Sequence, residues 1–206
     1  MAFSPSISRP ATLRLRLAVL QLATITAPFY PKLAELGEFG LVQADQLPPQ
    51  YQTLLAHEHH MTVTVEAFHG SLVDVRVLAE HRAGDVYTRS SLLVRQDNGQ
   101  VVQLGIMRIN LAGLSEAVRR EIGERVTPLG RILIRHNVLR HVKLFKLWRI
   151  SPGPELRRHL MGTSLSKVGG VESRRDSSTG ECIYGRSAGI VVEGRPTVEL
   201  LEMVKA

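Results

Sequence analysis

The densest group of titratable side chains is the run His57, Glu58, His59 and His60. Histidine nitrogens bind zinc, but a stable zinc site needs three or four ligands in tetrahedral geometry, and no second ligand motif follows. The run also lacks the His-Glu-x-x-His spacing that puts two histidines on one face of a helix. We therefore expect no metal here, but a polar cluster at the surface or at the rim of a pocket.

A second pattern, Gly185-Arg186-Ser187-Ala188-Gly189, matches the Gly-x-Ser-x-Gly motif of serine hydrolases. A nucleophile elbow passes from a strand into a helix, whereas the β-branched run 190–192 follows here. No histidine lies beyond His159, so the later members of a triad are missing. Gly-rich phosphate-binding loops are absent as well. The sequence therefore disfavours both hydrolysis by Ser187 and nucleotide-dependent chemistry.

Two isolated charges stand inside apolar, strand-like runs: Arg89 and Glu202. Burial of an arginine is costly unless it meets an anion, and its guanidinium offers a bidentate fork to carboxylates. Each residue would equally fit a position that faces solvent on an open side of a sheet. The residues alone leave this choice open.

The elements that must position these residues are mainly strands. Apolar alternation predicts a strand over Leu72–Leu78, and the turn at Gln96–Gln100 predicts a hairpin between Val86–Arg95 and Val101–Asn110. Further strands are predicted over Val138–Ile150, Cys182–Val192 and Thr197–Val204.

Helices are predicted over Gln50–His57, over Ser115–Ile122 with Gly123 at its end, and from Pro128 with Thr127 as its cap. Met61–Phe68 is ambiguous, because its β-branched residues favour a strand whereas its apolar spacing fits one helical face. Grouped helices and hairpin-linked strands indicate an α+β protein with a mainly antiparallel sheet.

The 206 residues suffice for one domain, which we expect over 47–206, after a loop-rich or amphipathic N-terminal extension over 1–46. Residues 1–33 contain no acid and fit a targeting segment, an amphipathic helix or a poorly ordered tail. Their apolar run is too short to span a bilayer. The Gly-, Ser- and Arg-rich segment Ser151–Thr179 predicts a long excursion with one or two helical turns near Glu155–Met161.

The net charge of +7 is scattered along the chain, and aromatic residues make up only 5% of it. Nucleic-acid binding is therefore not expected; a solvated basic face or a cationic approach to a small anion explains the charge. The single cysteine, Cys182, excludes an internal disulfide and permits a reducing cytosol. Its apolar surroundings predict an inert core thiol.

Several short motifs, taken in order, resemble the chorismate pyruvate-lyase family, also called 4-hydroxybenzoate synthases. The resemblance runs from Pro49 to Val204, and its most specific part is Thr127-Pro128-Leu129-Gly130-Arg131 after Leu114-Ser115. The other motifs are Leu54-Leu55, His60-Met61-Thr62, Val86-Tyr87-Thr88-Arg89, Trp148, Arg186-Ser187, Gly194-Arg195-Pro196 and Glu202.

By this resemblance, Arg89 binds a carboxylate, Glu202 contacts the ring hydroxyl, and Met61 and the main chain of Leu129 line the same pocket. Arg89 and Glu202 are then the candidate catalytic residues. The family fold, a six-stranded antiparallel sheet with helices, makes Met61–Phe68 a helix. The implied activity is a cytoplasmic, cofactor-free conversion of chorismate into 4-hydroxybenzoate and pyruvate.

Four alternatives stay open at this stage. Glu199 competes with Glu202, because a one-residue shift of strand register exchanges the faces of a sheet. Glu202 is a base with a raised pKa, or it is no base at all if the ring hydrogen passes directly to the enolpyruvyl methylene. The same fold also resembles a non-catalytic small-molecule sensing domain of bacterial regulators. A related lyase with another chorismate-derived or aryl-acid substrate fits equally, and the oligomeric state is not predicted.

Overall fold

The computed structural model describes residues 9–138, 140–161 and 182–206. The strands of these residues are β1 (Gly37–Val42), β2 (Val73–Ala83), β3 (Val86–Arg95), β4 (Val101–Asn110), β5 (Arg140–Pro152), β6 (Ile183–Val192) and β7 (Arg195–Val204). The helices are α1 (Arg9–Thr26), α2 (Pro49–Leu55), α3 (Met61–His69), α4 (Glu116–Glu124), α5 (Leu129–Arg135) and the single turn α6 (Pro154–Leu156), which a wider turn, Arg157–Met161, continues.

The seven strands form one antiparallel sheet in the order β1-β5-β6-β7-β4-β3-β2. The hairpin predicted over 86–110 is confirmed with the same bounds, and Gly99 in its turn has φ +73°, which glycine adopts without a steric penalty. The predicted α+β class is confirmed. The sheet has seven strands rather than about six.

Helices cover both faces of the sheet, which explains why β3, the neighbour of the edge strand β2, is buried along almost its whole length. One face packs against α1 and α6 through a single apolar cluster. The other face packs against α2 to α5 through two separate clusters, one under α4 and α5 and one under α2 and α3. Because side chains alternate along a strand, each strand sends one set of residues into each layer.

The segment before residue 47, predicted as a loop-rich or amphipathic extension, contains the helix α1 and the strand β1. β1 pairs with β5 at the edge of the sheet, from Gly37 opposite Pro152 to Val42 opposite Leu147. Ala18, Leu22 and Ile25 of α1 are buried in the cluster beneath it. The segments on the two sides of position 46/47 therefore share one sheet and one apolar cluster, through contacts between residues distant in sequence.

Two local predictions have different outcomes. Met61–His69 is a helix that ends at Gly70 in the left-handed conformation, as the resemblance implied and against its β propensity. The expected cap at Thr127 is wrong: α5 begins at Leu129, with Pro128 as the capping residue and no side-chain cap bond. A proline lacks an N–H, so it loses nothing at a helix start.

The helical turns expected near Glu155–Met161 are present, whereas the rest of that predicted excursion, residues 162–181, lies outside the described residues. Within the described ranges, no helix is both long enough and apolar enough to cross a bilayer.

Candidate functional site

A cavity lies on the face of the sheet under α2 to α5, between the two apolar clusters of that face. The space between its atoms, its open mouth included, is about 560 Å³. Side chains of β3, β4, β6 and β7 form its floor, and the first residues of α3 and α5 form its wall. Met61, Arg89, Leu129 and Glu202 all line it, so the structure brings the four predicted site residues together.

Arg89 is fully buried on β3, and none of its three guanidinium nitrogens has a hydrogen-bond partner in the structure. It points into the cavity together with Ser91 and Leu93, the alternate residues of the same strand. Burial lowers the pKa of Arg89, because the charged form loses its hydration. The guanidinium is thus a cation with unused donors at the floor of the cavity.

The acid that acts on Arg89, Glu80, is already bound to other side chains. Tyr87 and, less strongly, Glu80 oppose the lowering of the Arg89 pKa. The Tyr87 hydroxyl, however, donates to Glu80 at 3.0 Å, and Glu80 also pairs with Arg125 at 2.9 Å. The Glu80 side chain is also 41% exposed, so water screens it. Glu80 therefore does not replace a buried anion in the cavity.

The structure separates the two competing acids of β7. Glu202 is buried, lines the cavity and lies opposite Gly105 of β4. Glu199 lies on the opposite face, where its exposed carboxylate pairs with Arg108 at 3.1 Å. The odd spacing between them decides this, because side chains alternate along the strand.

Glu202 is not free, because Arg186 of β6 donates from Nε to its Oε2 at 2.7 Å. Arg186 is also fully buried, and its other nitrogens donate to the carbonyl oxygens of His57 at 2.8 Å and His59 at 3.1 Å. This arginine therefore ties the segment 57–60 to the floor of the cavity. No role was predicted for Arg186 from the sequence, although it interrupts an apolar strand just as Arg89 does.

Two histidines of this segment, His57 and His60, have a pKa well below the ordinary value, and His60 lines the cavity. Burial lowers the pKa of His57 to about 4, and Arg186 adds to the shift. Burial lowers the pKa of His60 to about 4 as well, followed by the charge of Arg140, which donates from Nε to His60 Nε2 at 2.6 Å. The His57 Nε2–H donates to the carbonyl oxygen of Leu54 at 2.7 Å, so its Nδ1 is the acceptor.

The wall of the cavity depends on close contact between α3 and α5. A Cβ on Gly130 would lie 3.1 Å from Thr62 Oγ1 and 3.3 Å from His60 Cβ, so glycine is needed for this spacing. Arg131 does not line the cavity, and it pairs instead with Glu66 of α3. Leu129 is buried and contributes to the lining.

Gln103 of β4 is a further lining residue that sequence reasoning missed. Its side chain is buried, and its Oε1 has no hydrogen-bond partner in the structure. The adjacent Gly105 leaves room for it, since a Cβ there would lie 3.1 Å from Gln103 Nε2. The cavity thus contains an unused acceptor in addition to the unused donors of Arg89.

The structure gives no support to two other candidates, a Ser187 nucleophile and a metal site. Ser187 lies within β6, and its Oγ accepts a hydrogen bond from Trp148 Nε1 at 3.2 Å. Among the described residues, no group of three or more His, Cys, Asp or Glu is arranged to hold a metal ion.

Comparisons with known proteins give no family for the chain. No protein-family model and no curated protein matches it. Among solved structures, it is similar to PhnF from Mycobacterium smegmatis, at 10% identity and a TM-score of 0.46 over 71% of this chain and 64% of that one. It is also similar to a ligand-binding domain assigned to a GntR-family transcriptional regulator of Bordetella bronchiseptica, at 16% identity and a TM-score of 0.41 over 65% and 86%. Similarities of this size do not establish a shared function.

Proposed function

We propose that the cavity binds a small organic acid whose carboxylate pairs with Arg89. The observation that carries this proposal is the fully buried guanidinium without a partner. A buried and unpaired charge costs several kcal/mol, in the order of 3 to 5 when a partner is removed. A carboxylate of the ligand would offset this cost through two parallel N–H···O bonds.

The rest of the lining supports a cyclic acid that also carries a hydrogen-bond donor. The unpaired Oε1 of Gln103 is an acceptor that a ligand hydroxyl would satisfy. Apolar side chains, among them Met61, Leu129 and Leu200, supply surfaces that suit a ring. A hydroxylated ring carboxylic acid combines these features.

The finer proposal is the lyase reaction, which rests on the ordered motifs from Leu54 to Glu202. Chorismate would lose its enolpyruvyl group by cleavage of the ring ether bond, while a ring hydrogen passes to the enolpyruvyl methylene. The products are then 4-hydroxybenzoate and pyruvate, with all atoms of the substrate accounted for and no cofactor. Arg89 would hold a carboxylate in place, and the buried floor of the cavity would limit the access of water.

A second candidate is binding without turnover, as in a sensing domain. It is favoured by the hydrogen bonds of Glu202 and His60, which arginines already occupy. Glu202 is held by Arg186, and the His60 Nε2 already accepts from Arg140. Glu202 and His60 are therefore engaged by arginines and not available as a base, whereas His59 also lines the cavity. A direct hydrogen transfer would need no base, so an activity assay must separate the two candidates.

Calorimetric titration tests the binding step. We expect 4-hydroxybenzoate to bind and the neutral 4-hydroxybenzyl alcohol to bind at least about tenfold more weakly, since a charged hydrogen-bonded pair contributes about 1.5 to 3 kcal/mol. Arg89→Met should abolish the difference between the two ligands. Arg108→Met, a change on the opposite face, is the matched control and should keep it. Equal binding of both ligands by the wild-type protein would overturn the proposal.

Incubation with chorismate tests the reaction. Equal amounts of 4-hydroxybenzoate and pyruvate, formed by the wild-type and Arg108→Met proteins but not by Arg89→Met, would support the lyase. Binding of the ring acid without either product would support the sensing candidate and exclude the lyase.

A further inference from the structure

The outward face of α1 carries a line of exposed leucines. Leu13, Leu17 and Leu20 are 59%, 55% and 63% exposed. At 3.6 residues per turn they follow one another along one side of the helix, over a length of about 10 Å. Single exposed leucines are common, but three in a line on one helix require an explanation.

The opposite side of α1 is anchored in the core, where Ala18, Leu22 and Ile25 are 4%, 3% and 5% exposed. These residues lie roughly half a turn away from the leucine line. The orientation of α1 is therefore set by its packing on the sheet, and the leucines face outward because the buried side is already satisfied.

Cations flank the leucine line on both sides. Arg14 and Arg16 are exposed on the two flanks of the line, and neither pairs with an acid among the described residues. No Asp or Glu precedes Glu35 in the sequence. The face therefore combines apolar side chains with positive charge that no acid of the described residues pairs with.

The same character continues onto the sheet beside α1. A groove joins Gln21 of α1 to Phe145 and Lys146 of β5, both of which are exposed. Phe145 is 52% exposed, and its ring lies over Gly189. Among the described lining residues of this groove the acid is Glu199, which is paired with Arg108.

We infer that this surface, formed by the leucine line of α1, its flanking arginines and the Phe145–Lys146 pair, binds to an anionic lipid bilayer. The arginines of this surface are not paired with an acid of the described residues and so complement an anionic surface, and leucine and phenylalanine side chains enter the boundary between headgroups and acyl chains. The line offers no unsatisfied directional group to a protein partner: the hydroxyl of Thr24, which continues it, donates to the Leu20 carbonyl oxygen at 3.1 Å. A lipid bilayer, in contrast to a protein partner, requires only apolar side chains that insert and positive charge that attracts anionic headgroups.

Co-sedimentation of the full chain with vesicles tests this inference. The probes are vesicles of phosphatidylcholine alone and of phosphatidylcholine with about a third phosphatidylglycerol. We expect binding to the anionic vesicles only, and weaker binding as salt screens the charges. Leu13→Gln/Leu17→Gln/Leu20→Gln should reduce binding by at least about tenfold. Arg14→Gln/Arg16→Gln should reduce it by at least about fivefold, as expected from about 1 kcal/mol per basic residue.

Matched controls separate this surface from general effects of charge and hydrophobicity. Leu72→Gln removes an equally exposed leucine elsewhere, and Arg119→Gln/Arg120→Gln removes two exposed arginines of α4; both should bind as the wild type does. Circular dichroism and titration with 4-hydroxybenzoate should be unchanged in every variant, because no changed residue lines the cavity.

Three results would overturn the inference. The first is a wild-type protein that does not bind the anionic vesicles. The second is a leucine variant that binds them as well as the wild type. The third is a concentration-dependent dimer that the same leucine variant abolishes, because the face would then be an interface between two copies of the chain.

Discussion

Two buried arginines show how the same side chain serves opposite purposes in one cavity. Arg186 meets Glu202 and two main-chain carbonyl oxygens, so its charge is compensated within the protein. Arg89 meets none of these and keeps its donors for something that enters the cavity. The difference predicts that Arg186 contributes to stability, whereas Arg89 contributes to binding at a cost in stability.

Removal of the negative charge of Glu202 should destabilise the protein, because Arg186 would remain buried without its anion. We expect Glu202→Gln to lower the free energy of unfolding by about 3 kcal/mol. Glu199→Gln, which breaks an exposed pair on the same strand, should lower it by less than about 1 kcal/mol. Urea denaturation measures both, and equal losses would contradict the assignment of Glu202 as a compensated internal charge.

Replacement of Arg89 should have the reverse effect in the absence of ligand. Arg89→Met removes an uncompensated buried cation and keeps much of its volume, so the free energy of unfolding should stay equal or rise by about 1 kcal/mol or more. Thermal unfolding without ligand measures this. A clear loss of stability would mean that the guanidinium has a partner inside the protein.

At the level of elements, the cavity depends on how tightly α3 and α5 pack and on the segment 57–60 between α2 and α3. Gly130 permits the contact between the helices, whereas Gly123 of α4 has nothing near the position of a Cβ. The two glycines therefore form a matched pair for the effect of one added methyl group.

Gly123→Ala should raise the free energy of unfolding by about 0.5 to 1 kcal/mol through helix propensity alone. Gly130→Ala gains the same propensity but pushes α5 from Thr62 and His60, so it should be at least about 1 kcal/mol less favourable. It should also weaken binding of 4-hydroxybenzoate, because α5 forms the wall of the cavity. Equal effects of the two substitutions on stability would show that α5 can move away from α3 without a cost in free energy.

The segment 57–60 should make stability depend on pH. The pKa of His57 and of His60 is about 4 in the folded protein and about 6.5 in the unfolded chain. Neutral imidazoles therefore stabilise the fold above pH 6.5, and this contribution is lost as the pH falls towards 4. The groups that face His60 and oppose its protonation are Arg140, Arg186 and His59.

Urea midpoints at pH 7.5 and pH 5 measure this loss, which we expect to be on the order of 1 kcal/mol per histidine after solvent screening. His60→Gln should reduce the difference between the two pH values. The exposed His81 provides the control, and His81→Gln should leave the difference as in the wild type. A wild-type midpoint that does not change between these pH values would contradict the buried, neutral state of the segment.

For the whole molecule, the sheet is enclosed by two helical layers, and the N-terminal helix belongs to one of them. Leu22 and Leu20 of α1 test whether this helix belongs to the core, because the same substitution can be made at a buried and at an exposed leucine. Leu22→Ala should lower the free energy of unfolding by about 2 to 4 kcal/mol, because it leaves a cavity in the core. Leu20→Ala should change it by less than about 0.5 kcal/mol, since its side chain is exposed. Equal effects would indicate an extension that does not share the core.

The strands and helices after residue 47 were predictable because their signals are local. The hairpin over 86–110 follows from apolar alternation around one glycine-containing turn, and Arg89 and Glu202 stand out because each interrupts an apolar strand. The bounds of α5 were less predictable, since both Thr127 and Pro128 are acceptable at a helix start.

Local patterns determined which residues form most of the strands, where the hairpins turn, and that Arg89 and Glu202 lie in apolar runs. Only the tertiary structure decided that Glu202 rather than Glu199 faces the cavity, that Arg186 neutralises it, and that Arg89 stays unpaired. It also added α1 and β1 to the sheet. The physical reason is that register, charge pairing and burial depend on contacts between residues far apart in the chain, such as Arg186 with His57, which no local pattern contains.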